Sequence, residues 1–265
     1  MAREALEKLL WPPALPFRYQ KITGCSYLKP VLDKRETASL PVPVVDEEKC
    51  THCGECSRVC VYNALAVLKT AVMTFPELCH GCGACAYLCP EKAINEELRG
   101  IGVIEIGRSG SVDFVHGVLN VGEAMAPPVI RQVKKHIFSD GISIIDASPG
   151  TSCPVIEAVK GSDYCLLVTD PTPFGLNDLA LAVEAVRSLQ IPCGVIINRS
   201  DVNDSQIEAY CDRENIPMLM KIPLDIEIAK LYSRGIPLVL GISEWKDRFI
   251  DLFEDICACV KQEAI

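Results

Sequence analysis

Positive charge is scarce in this chain. Its 265 residues hold 26 lysines and arginines against 35 aspartates and glutamates, for a formal net charge of −9. That deficit leaves no basic face for the phosphates of DNA or RNA, and none for anionic lipid. Long apolar runs are missing too. The longest, such as CLLV (165–168) and IPLVLGI (236–242), are strand-sized, which excludes a membrane span. The first residues carry Arg3, Glu4, Glu7 and Lys8 without a sustained apolar stretch, so no secretory leader is read there and a cytoplasmic protein is expected. Cysteine is the one residue in excess. Fifteen of them, an odd total bunched at short spacings, do not read as a secreted disulfide framework.

The bunching is regular. Residues 50–60 read CTHCGECSRVC and residues 79–90 read CHGCGACAYLCP, both with the spacing C-x2-C-x2-C-x3-C, the second closed by Cys-Pro. This is the two-cluster bacterial ferredoxin pattern, in which the fourth cysteine of each run serves the other cluster. Three closely spaced thiolates wrap one corner of a cubane, with Gly54, Gly81 and Gly83 permitting the turns. The fourth cysteine is read as starting the next helix. Cys50, Cys53, Cys56 and Cys89 are therefore expected to hold one 4Fe-4S cluster, and Cys79, Cys82, Cys85 and Cys60 the other. The competing metal is zinc, whose four-cysteine sites usually come as two separated C-x2-C pairs rather than a run of four. His52 and His80 read as loop residues beside the clusters. VYNALAV and PEKAIN follow the runs at equivalent positions, so the segment is an internal repeat, expected to depend on its metal for folding.

Beyond about residue 98 the texture changes. IGVIEIG and VDFVHG flank RSGS as a hairpin. PPVIRQVKKHI reads as a helix entered by proline. Then come the apolar strands GISIIDA, YCLLVTD, CGVIINR and MLMKIP, separated by the amphipathic stretches GLNDLALAVEAVRSLQ and DSQIEAYCDREN. Strand and helix in alternation predict a parallel sheet covered on both faces, closed by a last helix, EWKDRFIDLFEDICACVKQ. In such folds chemistry sits at the carboxyl ends of the strands. IIDASPGTSCP places Asp146 at a strand end, where a carboxylate can hold a magnesium shell through water, with the Gly150 backbone facing a γ-phosphate. Asn198 in VIINRSD can read a base edge through its amide, and Pro223 in KIPLD can brace a purine. Each has a plainer reading: Asp146 as a helix cap and Asn198 as a turn residue. Cys153 reads as a small buried thiol. Cys165, Cys193 and Cys211 read as core, and Cys257 and Cys259 are assigned no site.

The ordered series VDEEKCTHCGECSRVC, PELCHGCGACAYLCP, LNVGEAMAPPVI, IIDASPGTSCPVIEAVKGSDYCLLVTDPTPFGLNDL, VIINRSD and IPLDIEIAKLYSRG resembles the MinD/ParA-superfamily P-loop ATPases that carry an inserted two-cluster ferredoxin domain. The resemblance runs from about residue 27 to residue 239. It implies an α/β fold: a P-loop NTPase-like parallel sheet with an inserted α+β bacterial-ferredoxin-like domain. It further implies ATP and Mg as cofactors beside two 4Fe-4S clusters. Asp146 matches the family's Walker-B Asp, Pro149 and Gly150 its second switch, Asn198 its adenine reader, and LNVGEAMAPP its first switch. The domains follow as a remnant of the ATPase domain at 1–45, the ferredoxin-like insert at 46–97 and the nucleotide-binding domain at 98–265. The implied partners are a redox protein or a cluster-acceptor protein, with a homodimer or a pairing with a related ATPase.

One part of the family pattern is absent. The sequence holds no G-x-x-x-x-G-K-[ST] loop to grip phosphates, and the family's first strand is missing with it. Read with the frame shifted by one base and suitable synonymous codons, residues from Met1 onward can spell GKGGTGKTTVATSLALSL, the family's phosphate loop and the start of its helix. Residues 1 to about 26 are therefore expected to be an out-of-frame translation of that loop. The functional expectation is an iron–sulfur protein for electron transfer, on an ATPase scaffold whose ATP function is lost here. The alternatives are a cluster-assembly carrier and an ATP-independent ferredoxin-type electron carrier.

Overall fold

The computed structural model describes residues 30–109, 112–137, 141–201 and 203–263. The expected out-of-frame segment lies outside the described residues. The described chain forms two compact units, one made of residues 32–107 and 114–137 and the other of the remainder. No described helix is long and apolar enough to cross a membrane.

The first unit is built on a three-stranded sheet ordered β1–β4–β5: β1 Val31–Val45, β4 Ile94–Ser109 and β5 Val112–Leu119. In β1 every second residue turns inward, burying Ala38, Leu40 and Val42. Ala38 and Leu40 pack with Ile101 and Ile104 of β4 and with Val129 of helix α3 (Pro127–Lys134). Pro41 and Pro43 are tolerated in β1 because it is an edge strand. The α3 helix starts on Pro127-Pro128, where a missing N–H costs nothing. It is tied to β1 by one side chain: Gln132 Nε2 donates to the Ser39 carbonyl at 3.0 Å, and Ser39 N–H donates to Gln132 Oε1 at 3.2 Å.

Between β1 and β4 the chain forms the cysteine-rich repeat. It holds the short helices α1 (Glu55–Val59) and α2 (Ala84–Tyr87) and the antiparallel pair β2 (Leu65–Val67) and β3 (Val72–Thr74). The repeat is visible in the backbone. Asn63 and Lys92 both have positive φ, at 53° and 47°. Their N–H groups donate to Cys60 O and Cys89 O, each at 3.2 Å.

The second unit is α/β, with a parallel sheet ordered β6–β7–β8: Cys165–Thr169, Cys193–Ser200 and Met218–Pro223. Around it come α4 (Cys153–Val159), α5 (Pro173–Ser188), α6 (Ser205–Glu214), α7 (Ile226–Ser233), α8 (Leu238–Gly241) and α9 (Glu244–Glu263). Its central strand shows why the sheet is covered twice. Val195 and Ile197 face Leu179 and Val183 of α5 and Ile207 and Tyr210 of α6. Ile196, between them, faces Met220, Val239, Trp245 and Leu252. A strand buried on both faces must be apolar where it is covered, and Val195, Ile196 and Ile197 are, ahead of the polar end Asn198-Arg199-Ser200.

One expected strand is not there. GISIIDA (141–147) takes no strand conformation, and Ile142 and Ile144 stay 39% and 52% exposed. A strand needs a neighbour for its N–H and C=O groups. Among the described residues this segment pairs with none of the three strands of the parallel sheet.

Candidate metal centre and nucleotide end

Each cysteine run is a tight loop feeding a short helix. In the first, the Asp46 carboxylate accepts from the N–H groups of Glu48 and Lys49, at 3.2 and 3.4 Å, and turns the chain into Cys50. His52 (φ 56°) and Gly54 (φ 83°) then bend the loop into α1, which carries Cys56. In the second, Gly81 (φ 64°) and Gly83 (φ 71°) do the same before α2, which carries Cys85. The helix thus belongs to the third cysteine of each run. The reading that the fourth begins a helix is corrected: Cys60 is the C-cap of α1, and Cys89 follows the C-cap Leu88 of α2. The helices are barely more than a turn, so their ends aim the fourth cysteines away.

That aim has a result. One cavity is lined by Cys50, Cys53 and Cys56 of the first run and by Cys89 of the second. A second cavity is lined by Cys79, Cys82 and Cys85 of the second run and by Cys60 of the first. Backbone N–H groups point at the sulfurs: Ala64 at Cys60 Sγ and Ala93 at Cys89 Sγ, both 3.3 Å, and Gly81 at Cys79 Sγ, 3.4 Å. Cys56, Cys79 and Cys85 are buried, whereas Cys53 and Cys82 are exposed. Burial pushes the Cys56 and Cys79 thiols above their usual range and the Cys85 thiol up to about 11, and neighbouring thiols add to the rise. Among the described residues no three His, Cys, Asp or Glu side chains converge as they would on one metal ion. Four thiols spread around a cavity suit a polynuclear cluster rather than a single ion.

Two features of these cavities have no signal in the cysteine spacing. The Tyr62 and His80 rings, both lining the second cavity, stack with centroids 3.4 Å apart and planes 6° from parallel. Glu96, at the start of β4, lines the same cavity.

The candidate nucleotide residues divide. Asn198 and Pro223 stand together at the carboxyl ends of adjacent strands: Asn198 is in register with Ile222, and Ser200 with Pro223, across a bulge where Arg199 takes φ 55°. This corner is pinned by a charged network the sequence reading missed. Asp204, 6% exposed, accepts from Ser200 Oγ at 2.6 Å and pairs with Lys221 Nζ at 2.9 Å, and Lys221 also contacts Glu208. Burial alone would raise the Asp204 carboxyl, but the Ser200 hydroxyl and the Lys221 ammonium outweigh it, holding it below the usual range. Asp146, Pro149 and Gly150 lie instead in the irregular stretch before α4, all exposed, with Gly150 at φ 95°. Cys153, the first residue of α4, is exposed and not a buried thiol. Cys211 is buried, and Cys193 packs against the same core. The LNVGEAMAPP segment lies in the first unit, where Glu123 pairs with Arg99 of β4 at 2.8 Å and the Asn120 side chain donates to Gly100 O at 3.2 Å.

Comparison with known proteins agrees with the cysteine geometry. Residues 42–90 match the 4Fe-4S dicluster domain family. A protein of Methanocaldococcus jannaschii, described only as uncharacterized, is 30% identical over 225 residues, covering 84% of this chain and 75% of that one. The iron–sulfur cluster carrier protein of Pyrococcus horikoshii is 25% identical over 134 residues, 43% of this chain and 45% of that protein. The solved structure of the cell division ATPase MinD from Pyrococcus furiosus is similar at 27% identity with a TM-score of 0.41, covering 51% of this chain and 57% of that one. What these define is an iron–sulfur protein with a dicluster domain joined to an α/β scaffold. The chain belongs to the family of the Methanocaldococcus protein.

Proposed function

We propose that the chain is a one-electron carrier with two resident 4Fe-4S clusters, Cys50, Cys53, Cys56 and Cys89 holding one and Cys79, Cys82, Cys85 and Cys60 the other. The observation that carries this reading is the crossed lining of the two cavities, three thiols from one run and one from the other in each. Four thiols per cavity match the full ligand set of a cubane, which favours retention over release. When bound, each cluster supplies a one-electron redox couple. The chain's own contribution is to hold the sulfurs apart at fixed positions, donate N–H bonds from Ala64, Ala93 and Gly81 to them, and bury three of them from water. Such N–H···S bonds stabilise the charge a cluster carries and so tune its potential.

ATP and Mg form the other half of the proposal, in the negative. Asn198 and Pro223 retain a base-reading corner, and Asp146 a carboxylate for a magnesium shell. With no phosphate loop in the sequence, ATP binding is weak or lost and electron transfer proceeds without it. The test is anaerobic reconstitution of the full chain. About eight irons per chain, reversible one-electron cycling and no response to MgATP are expected. Iron content near one per chain would sink the cluster reading, and ATP-dependent spectra would sink the loss of nucleotide function.

A second reading, cluster carriage, draws on the exposure of Cys53 and Cys82, through which a cluster could be attacked by an incoming thiolate. The likeness to the cluster carrier protein of Pyrococcus horikoshii supports it. Transfer of iron and sulfide to an apo-ferredoxin faster than chelator-driven loss would decide for it.

A further inference from the structure

The two cavities come from one repeated sequence, so their walls can be matched position by position. His80 follows Cys79 as Thr51 follows Cys50, and Tyr62 lies two residues past Cys60 as Glu91 lies two past Cys89. Each pair lines the cavity of its own quartet: Thr51 and Glu91 the first, His80 and Tyr62 the second. At the second cavity the pair is a closed stack, with ring centroids 3.4 Å apart and planes 6° from parallel. The counterparts at the first are a hydroxyl and a carboxylate, which cannot stack and which draw water instead.

The stack joins two ends of one quartet. Tyr62 comes from the segment that delivers Cys60, and His80 from the loop of Cys79. Cys79 is 8% exposed and packs with Val42 and Ala64, with Cys60 against the same group. Its counterpart Cys50 is only half-buried, and Thr51 beside it is exposed. The first cavity does carry a ring, His52, but that ring hydrogen-bonds with Glu47 at 3.2 Å and leaves Cys50 half-buried. The opposite side is alike in both, with Cys53 and Cys82 exposed. The two cavities therefore differ along one wall. Stacked rings there keep out water and small ligands that a hydroxyl and a carboxylate admit.

We propose that the Tyr62–His80 stack seals the second quartet along its Cys60–Cys79 side, and that the first cluster, open at Cys50, is the one an incoming thiolate reaches. This rests on the cluster reading above. In the exchange the bond from iron to Cys50 Sγ breaks as a bond from iron to the incoming sulfur forms. Cys50 leaves as a thiolate, so the charge on the cluster is unchanged and no electron moves. The two clusters, alike in their ligands, thereby differ in how readily they are given up.

The experiment holds the full reconstituted chain without oxygen in excess glutathione and a ferrous-iron chelator, and follows iron release. The parent releases about four irons in a fast phase and the rest about tenfold more slowly. Iodoacetamide added after the fast phase, read by mass spectrometry, labels Cys50, Cys53, Cys56 and Cys89, while Cys60, Cys79, Cys82 and Cys85 stay protected. The double variant Tyr62→Glu with His80→Thr installs the residues that the repeat already carries at the first cavity, and merges the slow phase into the fast one. Tyr62→Phe with His80→Phe keeps two stacked rings and keeps the slow phase. A single phase in the parent, or labelling of the second quartet first, overturns the proposal while leaving the clusters in place. So does a slow phase that Tyr62→Glu with His80→Thr leaves untouched. If that variant assembles one cluster only, the order of labelling in the parent decides alone. A parent chain that assembles no clusters overturns the cluster reading and this proposal together.

Discussion

Cys60 and Cys89 each cap one cavity while belonging to the run that builds the other, and each accepts an N–H bond at 3.3 Å from the residue four places on. The link between the two cavities is therefore covalent chain, one short helix in each direction. If the quartets hold clusters as proposed, damage should appear crosswise. Cys60→Ser should alter the same electron paramagnetic resonance signal as Cys82→Ser, and Cys89→Ser the same one as Cys53→Ser. Spectra grouping Cys60 with Cys53 instead would contradict the crossed assignment.

Gly81 is the least replaceable of the loop glycines. It takes φ 64°, and a Cβ there would lie 2.6 Å from Leu40 Cδ1 and 3.1 Å from the Pro41 carbonyl oxygen. Gly54 takes φ 83° with nothing within 4 Å of such a Cβ. Both substitutions to alanine carry the backbone penalty of about 1 kcal/mol, and only Gly81→Ala adds a clash with β1. Thermal unfolding should show Gly81→Ala losing clearly more stability than Gly54→Ala.

Asp204 should make the second unit sensitive to acid. Its carboxyl is held below the usual 3.8 by Ser200 and Lys221 against its own burial. A group depressed in the folded state contributes stability that is present above its unfolded pKa and fades as pH falls through the folded value. Asp204→Asn should cost about 1–3 kcal/mol at neutral pH, and flatten the loss of stability below about pH 4. Denaturant titrations at neutral and acidic pH check both.

Thiols outside the cavities should differ in reactivity. Cys153 is exposed at the start of α4, whereas Cys211 is 1% exposed and burial pushes its thiol upward. The Cys165 thiol is pushed up to about 11 by burial and by Cys193, its register partner across β6 and β7. Alkylation of the native protein at about pH 8, read by mass spectrometry, should label Cys153 first and leave Cys165 and Cys211 until unfolding.

The parts of the molecule legible in the sequence are those set by local pattern. The cysteine spacing implied two crossed quartets, and the apolar runs at 164–170, 193–199 and 218–223 correspond to the parallel strands. GISIIDA was illegible because its apolar pattern states what a strand there would bury, while strand formation depends on a partner elsewhere in the chain. The Asp204–Lys221 pair and the Tyr62–His80 stack join residues 17 or 18 positions apart, a span over which no spacing rule operates. Cys153 misled for a different reason. Its residue type is usually buried, yet it opens α4 after an exposed loop, a placement that residue type alone does not encode.

The Gln132–Ser39 contact has a consequence for how the chain keeps to itself. A primary amide carries the same donor and acceptor as a peptide bond. By taking both backbone groups of Ser39, Gln132 occupies one rung that a stray strand would need in order to dock along the outer margin of β1. A helix side chain thus closes, at that point, an otherwise open invitation to pair.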